Sequence, residues 1–182
     1  SRRILKTAIS YNINIRMHAD EFIDSGGALL AGELNAVSAD HLMEASDEGI
    51  QSMIKSGVIA TLLPGTTLFL GKKKYANARR MIDMGCSVAL ATDFNPGSCT
   101  IQSMPLVMSL ACLYCGMTPE ETFISATWNG ARALNRQDRI GAIHEGYIAD
   151  LIFWDIQSVD EIPYWIGSDH IQYIMKNGKI VE

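Results

Sequence analysis

Apolar residues recur with two different periods along the first three-quarters of the chain, and the way those periods alternate predicts the fold. Short runs rich in small and β-branched residues at 13–18, 36–41, 58–63 and 88–93 read as strands. Between them, the stretches 26–34, 46–55 and 75–84 carry apolar residues every three or four positions, which is the spacing of an amphipathic helix. Ser46-Asp47-Glu48 offers a capping side chain followed by first-turn carboxylates, and Gly57 and Gly85 stand where a helix must stop before the next strand begins. Past the fourth strand, helices are predicted at 101–115, 119–128 and 129–135, the second opened by Thr118-Pro119-Glu120-Glu121.

From Gly141 the pattern changes. Leu151-Ile152-Phe153-Trp154 and the run 171–175 read as strands, and Asn177-Gly178 between apolar neighbours is a hairpin signal. Alternating strands and helices over 1–140 therefore predict an α/β unit with a parallel sheet, whereas 141–182 predicts a small β-rich module. Four βα units cannot close a (β/α)₈ barrel, which takes roughly 250 residues, so 1–140 reads as half of one.

Composition narrows the functional classes. The 182 residues are 48% hydrophobic, 19% charged and carry a net charge of −5, a balance that supports a packed core and excludes a basic nucleic-acid footprint. Lys72-Lys73-Lys74 and Arg79-Arg80 lack interleaved aromatics and read as solvated faces. The apolar run 104–117 is broken by Ser109 and Gly116 and falls short of the roughly 20 residues of a membrane span. Ser1-Arg2-Arg3-Ile4 has no following apolar core of a secretory signal and no starting Met, so the expectation is a cytoplasmic fragment or processed chain. Cys112 and Cys115 form a C-x-x-C inside an apolar helical run without a second pair, and packing is the expected role.

Three predicted strands end on polar residues for which a buried parallel strand has no packing use: His18, His41 and Asp93. Taken singly, a strand-end histidine is a hydrogen-bonded structural residue. Three at three strand ends point instead to the mouth of a βα barrel, where catalytic groups from separate strands converge. Imidazole nitrogen and carboxylate oxygen are the donors a catalytic Zn²⁺ or Fe ion takes. Asp20, Glu21 and Asp40 lie beside the histidines, able to orient an imidazole, move protons or hold a substrate amine. The turn Asp93-Phe94-Asn95-Pro96-Gly97-Ser98 reads as a carboxylate-binding loop with free amides and a free Ser98 hydroxyl, and Pro64-Gly65-Thr66-Thr67 reads as a second mouth loop. His144 and His170 read as surface residues of the β-rich module. These residues alone leave three readings open: a cyclic amidohydrolase, a deaminase of a small heterocycle, and a half-barrel that has lost catalysis and serves as an interaction module.

A resemblance favours the first and leaves the other two as alternatives. His18-Ala19-Asp20-Glu21-Phe22, Ser38-Ala39-Asp40-His41-Leu42, Leu62-Leu63-Pro64-Gly65, Asp93-Phe94-Asn95-Pro96-Gly97-Ser98, Ser103-Met104-Pro105-Leu106 and Met117-Thr118-Pro119-Glu120-Glu121 together resemble the imidazolonepropionases of the amidohydrolase superfamily. The resemblance runs over essentially the whole chain. It implies a metal-dependent (β/α)₈ hydrolase barrel with a small β-sandwich, acting in histidine catabolism on 4-imidazolone-5-propanoate, whose ring amide is hydrolysed to N-formimidoyl-L-glutamate with one Zn or Fe ion. It further implies His18 and Asp93 as metal ligands, Glu21, Asn95, Gly97 and Ser98 as contacts to substrate or product, and Glu21 and His41 as catalytic groups, His41 standing beside the reacting water and the ring carbonyl. Its partners would be that small molecule and, for the full-length enzyme, further copies of itself, with neither nucleic acid nor membrane. The His-x-His that the family carries on its first barrel strand occurs nowhere in the 182 residues, so the chain by itself is expected to be inactive.

Overall fold

A computed structural model describes residues 1–181. Its strands are β1 (Arg16–Ala19), β2 (Ser38–His41), β3 (Ile59–Leu62), β4 (Val88–Leu90), β5 (Leu151–Trp154), β6 (Ile171–Lys176) and β7 (Lys179–Ile180). Its helices are α1 (Arg2–Ser10), α2 (Gly27–Glu33), α3 (Asp47–Ser56), α4 (Pro64–Phe69), α5 (Ala78–Asp83), α6 (Met104–Cys115), α7 (Pro119–Ala126), α8 (Trp128–Ala133) and α9 (Glu161–Tyr164). Strands β1 to β4 form a parallel sheet in sequence order, and β5 to β7 form an antiparallel one. Among the described residues no helix is long and apolar enough to cross a membrane.

Alternation along the parallel strands divides the sheet. Met17, Ala19, Ala39, Ala60, Leu62, Val88 and Leu90 join one large apolar cluster that also takes Ala28 and Ala31 of α2 and Ile50 and Met53 of α3. On the opposite face, Ile59 and Ala89 pack with Ala133 of α8. One register row of that face runs His18, Asp40, Thr61, Ala89, so its polar end lies on β1 and β2.

Local chemistry fixes the boundaries that the sequence predicts. The Ser46 side chain accepts from the Gly49 amide to open α3, and Gly57 closes it at φ +71°. Thr118 and Glu121 form a capping box at α7. Glu121 also receives Arg79 at 2.9 Å, while Arg80 pairs with Asp47 and Lys72 sits 5.4 Å from the Phe22 ring centroid. The basic runs are therefore exposed, as expected, yet engaged with neighbouring elements. Cys112 and Cys115 are free thiols, and burial pushes the Cys115 thiol up to about 12, consistent with packing.

Three expectations need correction. Pro64-Gly65-Thr66-Thr67 is the first turn of α4 rather than a loop, with Pro at a position where its missing N–H has no helical partner to lose. Helices α1 and α9 were not anticipated, although Ile4, Leu5, Ala8 and Ile9 of α1 recur at helical spacing and Leu5 and Ala8 pack, partly buried, against the core. The fourth strand ends at Leu90, so Asp93 lies three residues beyond the ladder and not on it.

Helices α2 and α3 approach most closely at Gly32, where an added Cβ would stand 2.2 Å from Ser52 Oγ and 2.5 Å from the Ser52 carbonyl carbon. Only backbone separation can relieve a contact with backbone atoms. Gly32→Ala is expected to lower unfolding stability by about 3 kcal/mol, read as a shifted urea midpoint at unchanged slope.

Candidate functional site

At the carboxyl end of β1 the chain leaves the sheet through Asp20, a non-glycine residue at φ +51°. Its buried carboxylate organises the loop that follows: Oδ1 accepts from the Ser25 amide at 2.9 Å, the Ser25 hydroxyl at 2.9 Å and the Gly27 amide at 3.0 Å, and Oδ2 accepts from the Ala28 amide at 2.8 Å. Burial raises the Asp20 pKa, but these donors outweigh it and hold the carboxyl below its ordinary range. With Asp20 committed to the α2 start, Glu21 is the carboxylate that faces the histidines.

Glu21 is buried. Its Oε2 lies 3.0 Å from His18 Nε2 and its Oε1 lies 3.8 Å from His41 Nδ1. The two imidazole rings stand 4.3 Å apart, centroid to centroid. One ligand atom from each of His18, Glu21 and His41 falls within 4.8 Å of the others, an arrangement able to hold a metal ion. The His18 side chain is 63% exposed and that of His41 only 8%. Burial pushes the His41 pKa below the usual imidazole value, against the opposing pull of the Glu21 carboxylate, which leaves a neutral ring at neutral pH.

His41 reaches this cluster by breaking strand alternation. Its register partner is Ala19, so regular alternation would send it to the helix-covered face, opposite to His18. Instead His41 and Leu42 adopt φ +75° and +60°, two consecutive left-handed residues of which neither is glycine. Asp40 stays on the His18 face, where the Ser38 hydroxyl donates to it at 3.0 Å and burial raises its pKa. It neither caps a loop nor joins the cluster.

Asp93, at φ +53°, accepts a hydrogen bond from Thr66 Oγ1 at 2.7 Å. It is close enough to His41 to favour the charged ring, but it lies outside the His18–Glu21–His41 group. The turn beyond it corrects one reading. Asn95 Oδ1 accepts from the Gly97 amide at 2.9 Å and the Ser98 amide at 2.8 Å, and Asn95 Nδ2 donates to the Asp93 carbonyl at 2.7 Å and to Ser98 Oγ at 2.9 Å. The amides expected to be free are taken by the asparagine, whose short side chain is built to satisfy its own turn. His144 is exposed, as expected. His170 is half-buried, its ring 5.6 Å from Trp165, so it is not a plain surface residue; neither histidine approaches the cluster.

Comparison with known proteins matches this geometry to a family. The model described as "Amidohydrolase family" matches residues 2–181. The imidazolonepropionase of Bacillus velezensis is 49% identical over 181 residues, covering 100% of this chain and 43% of that relative. That of Phocaeicola vulgatus is 48% identical, covering 100% of this chain and 44% of the relative. The chain thus spans less than half the length of the curated relatives it matches. Among solved structures, a zinc-bound adenosine deaminase from Xanthomonas campestris superposes with a TM-score of 0.80 at 20% identity, covering 98% of this chain and 47% of its own. A triazine hydrolase variant superposes at 0.83 and 20% identity, covering 99% and 46%. At such identity the structural likenesses speak to the fold.

The Asp20 hydrogen bonds yield a pH-dependent prediction. Because its folded pKa is depressed, the stability it contributes is present above the ordinary carboxylate pKa and is lost as pH falls through the lower folded value. Asp20→Asn, which turns an amino group toward the Ala28 amide, is expected to cost about 2 kcal/mol at pH 7. Urea midpoints of the two proteins should converge on acidification, and a gap that stays constant down to strongly acidic pH would contradict this account.

Proposed function

The chain belongs to the amidohydrolase family, and on that premise we propose that it forms the carboxyl-terminal half of an imidazolonepropionase, whose complete form hydrolyses the ring amide of 4-imidazolone-5-propanoate to N-formimidoyl-L-glutamate. The observation that carries this reading is the buried Glu21 between His18 and His41 at the carboxyl ends of adjacent parallel strands. Residues 1–140 would be the second half of an eight-unit barrel, and 141–182 one part of a small β-sandwich. The ordered parallel sheet β1 to β4 and the antiparallel sheet β5 to β7 support that division.

The ligand atoms that gather within 4.8 Å of one another are those of His18, Glu21 and His41, and an imidazole nitrogen from His18 with a carboxylate oxygen from Asp93 would suit one Zn or Fe ion by donor chemistry. His18 and Asp93 would hold it together with the His-x-His that the rest of the enzyme brings. When bound, such an ion supplies Lewis-acid activation of water and of the ring carbonyl.

The chain's own residues handle the protons. Glu21, its carboxylate oxygens directed at both imidazoles, takes the proton released as water oxygen bonds to the amide carbon. It then delivers that proton to the ring nitrogen as the carbon–nitrogen bond breaks. His41, a neutral ring beside Glu21, offers an N–H to the carbonyl oxygen as negative charge develops there, or a lone pair to the attacking water. Ser98, whose hydroxyl can rotate away from Asn95, contacts the propanoate carboxylate, while Asn95 and Gly97 set the shape of the turn that presents it. The site takes a small molecule, and the whole enzyme would work as a cytoplasmic homo-oligomer.

The test is turnover. The full-length protein loaded with Zn²⁺ or Fe²⁺ should convert 4-imidazolone-5-propanoate to N-formimidoyl-L-glutamate, and a preference for cytosine or guanine would overturn the assignment. Glu21→Gln is expected to lower kcat/KM by about 10² to 10⁴ with metal content unchanged. The 182-residue polypeptide given the same metals should show no comparable rate.

A further inference from the structure

Asp93 sits in a loop, yet its carboxylate is not loose. Its backbone is left-handed, it stands beyond the last ladder residue of β4, and the parallel sheet gives it no support. The support comes from Thr66, 27 residues earlier, whose Oγ1 donates to Asp93 Oδ2 at 2.7 Å. Thr66 is only 2% exposed and lies in the first turn of α4. In the first turn of a helix a threonine has no carbonyl of its own helix four residues behind it, so its hydroxyl is available to a partner elsewhere. This one reaches across to a carboxylate on the next mouth loop, which makes the bond charge-assisted and stronger than a neutral one.

Packing leaves that hydroxyl little choice. Gly65 places the start of α4 beside the 92–99 loop, where a Cβ would make ordinary van der Waals contact, 3.4 Å from Cys99 Sγ, 3.4 Å from Ile101 Cδ1 and 3.6 Å from the Thr92 carbonyl oxygen. Cys99 Sγ in turn contacts that same Thr92 oxygen at 3.3 Å. The first turn of α4 and the 92–99 loop thus pack against each other, and the Thr66–Asp93 hydrogen bond joins them.

We propose that Thr66 is a positioning residue for Asp93: its hydroxyl ties down Oδ2, fixes the side-chain rotamer and leaves Oδ1 to serve as the metal-binding oxygen. This rests on the reading of Asp93 as a metal ligand. A hydrogen-bonded carboxylate ligand binds metal more tightly than one free to rotate, and loss of such a supporting bond costs about 10- to 100-fold in affinity.

The experiment compares Thr66→Val, Thr66→Ser and Asp93→Asn in the full-length protein. It reads Zn²⁺ affinity by chelator competition, the visible spectrum of the Co²⁺-substituted form, and thermal unfolding of the metal-free form. Thr66→Val should weaken Zn²⁺ binding by about 10- to 100-fold and alter the Co²⁺ spectrum while the metal-free protein unfolds near the wild-type temperature; Thr66→Ser should restore both. Zn²⁺ affinity of Thr66→Val equal to wild type, with Asp93→Asn stripped of metal, overturns the positioning role and leaves the ligand assignment standing. Wild-type affinity in Asp93→Asn overturns the ligand assignment and this inference with it. If the valine variant does not fold, Thr66→Ala, which opens a small cavity instead of adding a methyl group, is held to the same outcomes.

Discussion

Parallel pairing of β1 with β2 sets Ala19 opposite His41 and His18 opposite Asp40, and the candidate site is built on that register. A slip of one residue would exchange every side chain between the two faces. Even in the correct register the two histidines belong to opposite faces, and they meet only because the backbone turns left-handed at His41 and Leu42. Each such residue costs on the order of 1–3 kcal/mol. Burial offsets it: Leu42 is among the most deeply buried side chains of the core, worth about 2 kcal/mol. Two backbone bonds, Leu42 to the Ala19 carbonyl at 3.0 Å and Glu44 to the Asp20 carbonyl at 2.8 Å, continue the β1–β2 tie past the ends of the strands.

The same design recurs in each mouth loop. A short polar side chain is given to holding neighbouring backbone, or in one case a neighbouring carboxylate. Asp20 holds the start of α2 and frees Glu21. Asn95 closes the turn on its own amides and presents Ser98. Thr66 is buried and holds Asp93, which a strand would otherwise have had to hold.

Much of this was legible in the sequence, though unevenly. Capping chemistry fixed α3 and α7 nearly to the residue, because Ser46, Gly57 and the Thr118–Glu121 box act within one turn and need no tertiary partner. The pattern of strand-end polar residues drew attention to His18 and His41, which the structure brings together with Glu21, whereas Asp93 lies outside that group and beyond the end of β4. Hidden were the features that depend on contact. Pro64-Gly65-Thr66-Thr67 has a composition that fits a turn and a helix start equally, and only burial against the 92–99 loop decides for the helix. The amides of the turn looked free because the sequence does not show that the Asn95 side chain takes those of Gly97 and Ser98. Strand parity would have argued against His41 joining His18 at all, since a left-handed backbone at a histidine leaves no trace in a period-2 pattern.

Charge gives the cluster its direction. Glu21 is buried, and burial lowers the pKa of His41 beside it, which disfavours an imidazolium on the enclosed side. On the other side stands His18, most of whose side chain is open to solvent. A metal ion could therefore approach Glu21 from the His18 face. The structure thus closes the site around a carboxylate from the helix side and leaves it open on the sheet's other face, where Arg16 and His18 project from β1. The geometry of His18, Glu21 and His41, a group that could hold a metal ion, is held by this chain's own backbone.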